Sequence, residues 1–159
     1  MRKWLVMIAI LGASGMAHAE RPTLVGELGV GVGAPLGIGS LALGVAPVRW
    51  LELTAGGGWA EYGTQLGAML RLRSKHDRGL AFGVSRGHYE HTPYFFATEA
   101  NDYGETTWVN GELYSEHGVG ASFVRFSFGL ARTVDIETRS YRNDPVWAPY
   151  LNVTIGFRR

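Results

Sequence analysis

Five histidines, His18, His76, His88, His91 and His117, are the candidate general bases of this 159-residue chain, and there is no cysteine. The missing thiol excludes disulfides, zinc–thiolate sites, a cysteine nucleophile and a lipid-anchored N-terminal cysteine. A histidine base must reach a nucleophile. On a strand, residues two apart share a face, so His-x-Ser would set base and nucleophile side by side. The residues two places after the histidines are Glu20, Arg78, Glu90, Pro93 and Val119, none of them serine. The reversed order occurs at Ser74/His76 and Ser115/His117. His88 and Glu90 share a face and could hold a metal with a more distant group such as Asp102. A site of that kind needs three or four ligands, and a solvated loop is the simpler reading. No catalytic group, metal or cofactor is expected. A second set of charged residues is more regular: Glu27, Glu52 and Glu112, with Arg71, Arg73 and Arg125, each interrupt rows of aliphatic residues. Buried charges of this kind must be paired and hydrogen-bonded, because a low dielectric penalises an isolated ion.

The elements that hold these residues read as strands. Leu151, Val153, Ile155 and Phe157 alternate with Tyr150, Asn152, Thr154 and Gly156. Val124, Phe126, Phe128 and Leu130 likewise oppose Arg125, Ser127 and Gly129, and Leu66, Ala68, Leu70 and Leu72 oppose Gln65, Gly67, Met69, Arg71 and Arg73. Leu51, Leu53, Ala55, Gly57 and Trp59 oppose Glu52, Thr54, Gly56 and Gly58. Weaker segments around Leu24–Val32, Leu80–Val84 and Val109–Leu113 keep the same period of two, the mark of a strand with two unlike faces. A further one, residues 36–48, changes face between Ile38 and Leu41 and calls for a bulge near Ser40. The segments number eight, each roughly ten residues long, which is the length a tilted strand needs to cross a bilayer.

Composition restricts where such strands can sit. The chain is 46% hydrophobic and only 18% charged, with 23 glycines, which argues against disorder. Its longest apolar run lies at the N-terminus, where Arg2 and Lys3 precede residues 4–12 and small residues end in Ala17-His18-Ala19. That is the layout of a cleavable signal peptide over residues 1–19, leaving one domain over residues 20–159. Loss of Arg2 and Lys3 leaves 13 basic against 14 acidic residues, without the basic excess a nucleic-acid partner would want. With no second apolar run, a membrane location requires a closed barrel, since only helices and closed barrels satisfy every backbone polar group in lipid. The expected fold is therefore all-β: a closed, antiparallel, up-and-down eight-stranded transmembrane β-barrel.

The connections fit an export topology. Connections two, four and six (residues 47–49, 74–78 and 116–119) are short, whereas five and seven (88–106 and 132–146) are long and would face outward. That topology puts both reversed Ser/His pairs at inner turns. Trp50, Tyr114 and Phe157 fall at the expected periplasmic strand ends, and Trp59, Tyr62, Trp108, Trp147 and Tyr150 at the external ends, suggesting aromatic girdles. The lumen of an eight-stranded barrel is filled by its own side chains. Glu27, Glu52, Glu112, Arg71, Arg73 and Arg125 would form its plug, with Glu52 near Arg71 and Arg73, and Glu112 diagonal to Arg125.

The whole of residues 20–159 resembles, in architecture, the small eight-stranded outer-membrane barrel superfamily that includes the membrane domain of outer-membrane protein A, outer-membrane protein X and the opacity proteins. Its most specific piece is Tyr150, Leu151, Val153, Ile155 and Phe157 in the last strand, similar to the signal read by the barrel-assembly machinery, although Arg158 and Arg159 follow the final aromatic. The resemblance implies a monomer in the bacterial outer membrane, bound by its lipids, with roles in envelope integrity or adhesion. Two enzyme types in such barrels act on lipid A. The deacylase type carries the His-x-Ser pattern that this chain lacks. The palmitoyltransferase type has an amphipathic helix before its first strand, for which there is little room here. The expected role is structural or surface-interacting and non-enzymatic, with a narrow channel and a lipid A-modifying enzyme as the alternatives. Residues 88–106, rich in aromatics and acids, and residues 132–146 suit a protein or glycan ligand.

Overall fold

Alternating polarity forces each segment to separate an oily face from a polar one, and a sheet satisfies that everywhere only by closing on itself. In a computed structural model, which describes residues 22–32, 36–60, 63–89, 104–138 and 147–159, the chain does so. Eight strands run β1 (Thr23–Val32), β2 (Gly39–Val48), β3 (Leu51–Ala60), β4 (Gly63–Arg73), β5 (Arg78–Tyr89), β6 (Gly104–Val119), β7 (Ser122–Thr138) and β8 (Trp147–Arg158). Each pairs antiparallel with its sequence neighbours, and β8 closes on β1, so the sheet is a closed barrel in simple up-and-down order. No helix occurs among the described residues. The proposed leader, residues 1–19, lies outside them.

The side-chain pattern is that of a soluble barrel turned inside out. Leu28, Leu43, Leu66, Phe128, Leu151 and Ile155 are each more than half exposed on the outer face. Glu27, Glu52, Arg71, Glu112 and Arg125 are buried within. One end of the barrel carries the tight connections 49–50, 74–77 and 120–121, the start of β1 and the end of β8, where Leu24 and Arg159 exchange backbone hydrogen bonds of 2.7 and 2.9 Å. We call this the short-turn end.

Several boundaries differ from the sequence expectation. No bulge lies at Ser40, which pairs regularly with Gly29 and Gly58; β2 begins at Gly39, so Ile38 precedes the strand and its change of face costs nothing. The irregularity falls instead between Val45 and Val48, where Ala46 and Pro47 oppose the single residue Glu52. A bulge there accommodates Pro47, which has no N–H to give to a ladder. Strands β5, β6 and β7 also run on into the expected loops: His88 and Tyr89 belong to β5, Glu105 and Thr106 to β6, and residues 132–138 to β7. Pairing continues there because β6 finds partners on both sides, from Gly104 onward.

A narrow lumen leaves little room for aromatic rings, and glycines directly across the ladder supply it. Gly79 opposes Tyr114, Gly129 opposes Tyr150 and Gly156 opposes Phe123. A Cβ at Gly129 would lie 2.3 Å from the Tyr150 ring, and one at Gly156 would lie 2.2 Å from Phe123. Outside, Gly26 sits under Phe157 in the same way. Such ring-over-glycine pairs also pin the strand register. Gly129→Ala is expected to destabilise the barrel by about 1–3 kcal/mol through overpacking. Gly111→Ala, whose Cβ would meet nothing closer than 3.8 Å, is expected to be neutral or mildly stabilising. Urea unfolding of both variants followed by tryptophan fluorescence checks the contrast.

Candidate functional site: the charged interior

Two cross-strand pairs on opposite walls start the site. Glu52 on β3 lies directly across from Arg71 on β4, and Glu116 on β6 lies directly across from Arg125 on β7. Alternation turns all four inward. Glu27 from β1 and Arg158 from β8 then join the walls through the lumen. Arg71 reaches Glu27 at 3.2 Å and Glu52 at 3.1 Å, and donates to Thr54 Oγ1 at 2.8 Å. The Arg125 guanidinium bonds Glu27 through Nη1, Glu52 through Nη2 at 2.8 Å, and Glu116 through Nη2 at 2.8 Å and Nε at 3.2 Å. Arg158 donates to Glu116 at 2.6 Å and to Glu52 at 2.7 Å.

Glu112 lies on β6 four residues further from the short-turn end than Glu116. It accepts from the Tyr150 hydroxyl at 3.1 Å and the Ser127 hydroxyl at 3.3 Å, while Arg71 Nε lies 3.7 Å away, an ion-pair distance longer than a hydrogen bond. Asn110 donates in turn to the Tyr150 oxygen at 3.0 Å. Each carboxylate oxygen of Glu27, Glu52, Glu112 and Glu116 thus faces at least one donor. Four carboxylates meet the four guanidiniums of Arg71, Arg73, Arg125 and Arg158, with Arg73 shared between Glu116 and the exposed Asp77. Aromatic faces complete the cage. Arg125 lies 4.8 Å from the Phe123 ring centre and 5.1 Å from that of Tyr114, and Arg158 lies 4.1 Å from Phe123. These are cation–π distances for planar cations.

All six expected interior residues come from inward-facing positions, but two partnerships differ from expectation. Arg73 pairs with Glu116 and Asp77, at 2.8 and 2.7 Å, rather than with Glu52. Arg125 pairs with Glu27, Glu52 and Glu116, not Glu112, because its ladder partner is Glu116 while Glu112 lies across from Gly129. Two members were not anticipated. Glu116 falls in the expected turn 116–119, yet β6 continues to Val119 and buries its side chain almost completely. Arg158 counted as a departure from the terminal-strand pattern, and it bridges two carboxylates. Both share the parity of their inward-facing neighbours, Glu112 and Tyr114 for the one and Thr154 and Gly156 for the other, and that was the available signal.

The expected girdle divides. Trp50 at the short-turn end, and Trp59 and Trp147 at the other, are exposed on the outer face. Trp108 and Tyr114 are not part of it: both are buried inside, on the same strand face as Asn110 and Glu112. Trp108 packs there with Ala131 and Ala148. In the terminal strand Leu151, Val153, Ile155 and Phe157 face outward while Tyr150 points in. Tyr62, Glu90, His91, Glu99 and Asp102 lie outside the described residues. His88 is exposed on β5, 3.9 Å from Glu105, which also pairs with Arg86. No cluster of three or more potential metal ligands occurs among the described residues.

No family model, curated protein or solved structure matches this chain. Chemically, the described interior is an ion-pair network in which every carboxylate oxygen faces a donor, while Arg71 Nε and Asn110 Oδ1 lack a hydrogen-bond partner. Removing Arg125 would leave the buried carboxylates of Glu27, Glu52 and Glu116 one cation short, with only Arg71, Arg73 and Arg158 to share, so Arg125→Ala is expected to cost about 3–5 kcal/mol. Arg125→Lys should recover only part of that, because one ammonium cannot span three separate acceptors as the fork does. Equilibrium unfolding of the two variants beside the parent tests the ranking.

Proposed function

We propose that this protein is an exported barrel of the bacterial outer membrane whose plugged interior suits it to a structural or surface-interacting role. The observation that carries the proposal is the inverted polarity, with ion pairs inside and an aliphatic and aromatic belt outside. Apolar surface on that scale in water would drive aggregation, whereas hydrocarbon tails satisfy it. Supporting it are strand lengths of 10–12 residues in β1 to β5 and β8, close to what a tilted strand needs to span the hydrocarbon layer. The leader-like residues 1–19 and the Phe157-terminated last strand support export and delivery to the barrel-assembly machinery. On this reading the protein is a monomer among outer-membrane lipids. The stretches expected to meet a protein or glycan, 88–106 and 132–146, join β5 to β6 and β7 to β8 at the end opposite the short turns, and their residues 90–103 and 139–146 lie outside the described residues.

A plug in which every interior carboxylate is paired favours a closed lumen over a channel. In planar bilayers the parent protein is expected to show no discrete conductance, whereas a channel would show it reproducibly and shift it on changing Arg125 or Glu112. Fractionation should recover the protein in the outer membrane, with migration on detergent gels that changes on boiling. Recovery from the soluble periplasm would overturn the proposal. Incubation with lipopolysaccharide is expected to leave the acyl chains of lipid A unchanged by mass spectrometry.

A further inference from the structure

On the membrane reading above, we propose that the short-turn rim of the barrel is a docking surface for phospholipids with anionic headgroups. Directly under the apolar belt, alternation turns a set of cations outward. Arg78 pairs in register with Ser115, one outward-facing step beyond the Leu80–Leu113 pair. Arg159 follows the inward-facing Arg158 and is hydrogen-bonded through its backbone to Leu24, at the foot of β1. Lys75 occupies the β4–β5 turn, and Arg49 lies beside the exposed Trp50. All four of these basic side chains are exposed.

Around Lys75, Arg78 and Arg159 the described residues offer little negative charge. Asp77 is the exposed acid there among the described residues, and it is tied to Arg73 at 2.7 Å. The other acids nearby, Glu27, Glu52 and Glu116, are buried and balanced by the interior arginines. Among the described residues of the opposite rim, Arg86 is paired with Glu105, and Arg132 lies over the Trp147 ring at 5.2 Å. Two residues along a strand advance it by about 7 Å, which takes Arg78 from the level of the hydrocarbon tails to that of the headgroup phosphates. A phospholipid satisfies belt and rim together, its chains lying on Leu80 and Leu113 and its phosphate meeting the guanidiniums, which bind such oxygens in pairs. A soluble anionic polymer would engage the rim alone.

The test uses the intact barrel in phosphatidylcholine vesicles doped with brominated lipids, which quench tryptophan on contact. Carrying Trp59→Phe and Trp147→Phe, the protein reports from Trp50 at the short-turn rim, since Trp108 is buried in the barrel. Carrying Trp50→Phe and Trp147→Phe, it reports from Trp59 at the opposite rim. At low salt, brominated phosphatidylglycerol is expected to compete for the Trp50 site about threefold or more better than brominated phosphatidylcholine, and to lose that advantage in concentrated salt. Trp59 should show no preference. Combined Lys75→Gln, Arg78→Gln and Arg159→Gln should abolish the preference at Trp50, and Arg78→Lys with Arg159→Lys should keep it. Equal quenching by the two lipids at Trp50, or a preference that survives the glutamine variant, would overturn the inference. Failure of either lipid to quench Trp50 and Trp59 would instead overturn the membrane reading on which it rests.

Discussion

Arg125 holds together parts of the molecule that the chain alone keeps far apart. Its guanidinium, about 1% exposed, bonds carboxylates from β1, β3 and β6 at once. An eight-stranded barrel is too narrow for bulk water to solvate charges inside it, so every ion there depends on another ion. The remaining interior follows from that constraint. Arg71 and Arg158 complete the ligation of the carboxylates that Arg125 shares, and Tyr114 and Phe123 wall the cation in. The strands are thus tied through the lumen as well as around the hydrogen-bonded wall. Breaking one member exposes the others to an uncompensated charge.

Space for this network comes from the backbone. Rings of the size of Tyr114, Phe123 and Tyr150 fit because Gly79, Gly156 and Gly129 stand opposite them. The abundance of glycine therefore has a local cause in the interior, beyond its use in turns. The glycine and the ring act as one unit: the ring covers the bare backbone, and the bare backbone admits the ring. Shifting a strand by one residue would put ring against side chain and turn charges toward the apolar side, so the same pairs also guard the register.

The fold was largely legible because a period of two survives in nearly every strand. Where strands end was less so. Residues 104–106 and 132–138 look loop-like in composition, and they are strand because a paired neighbour lies alongside. Glu116 was lost to a presumed turn for the same reason. Parity alone would have turned Trp108 and Tyr114 inward, since they share a face with Asn110 and Glu112. The expectation that aromatics near strand ends form girdles overrode that signal. Arg158 was visible as an anomaly, a charge after the terminal aromatic, and the lumen explains it.

By itself, the sequence determined the inside and outside of each strand, the number of strands and the identity of six interior charges, because alternation is a local property of the chain. The partnership of those charges was decided only by closure. Which arginine meets which glutamate depends on register around the barrel and on reach across the lumen. The link from Glu27 on β1 to Arg125 on β7, 98 residues away, is written in no local pattern. The gathering of Lys75, Arg78 and Arg159 at the short-turn end is likewise a tertiary fact. Basic residues scattered along the chain become one surface only when antiparallel strands bring their turns to the same end.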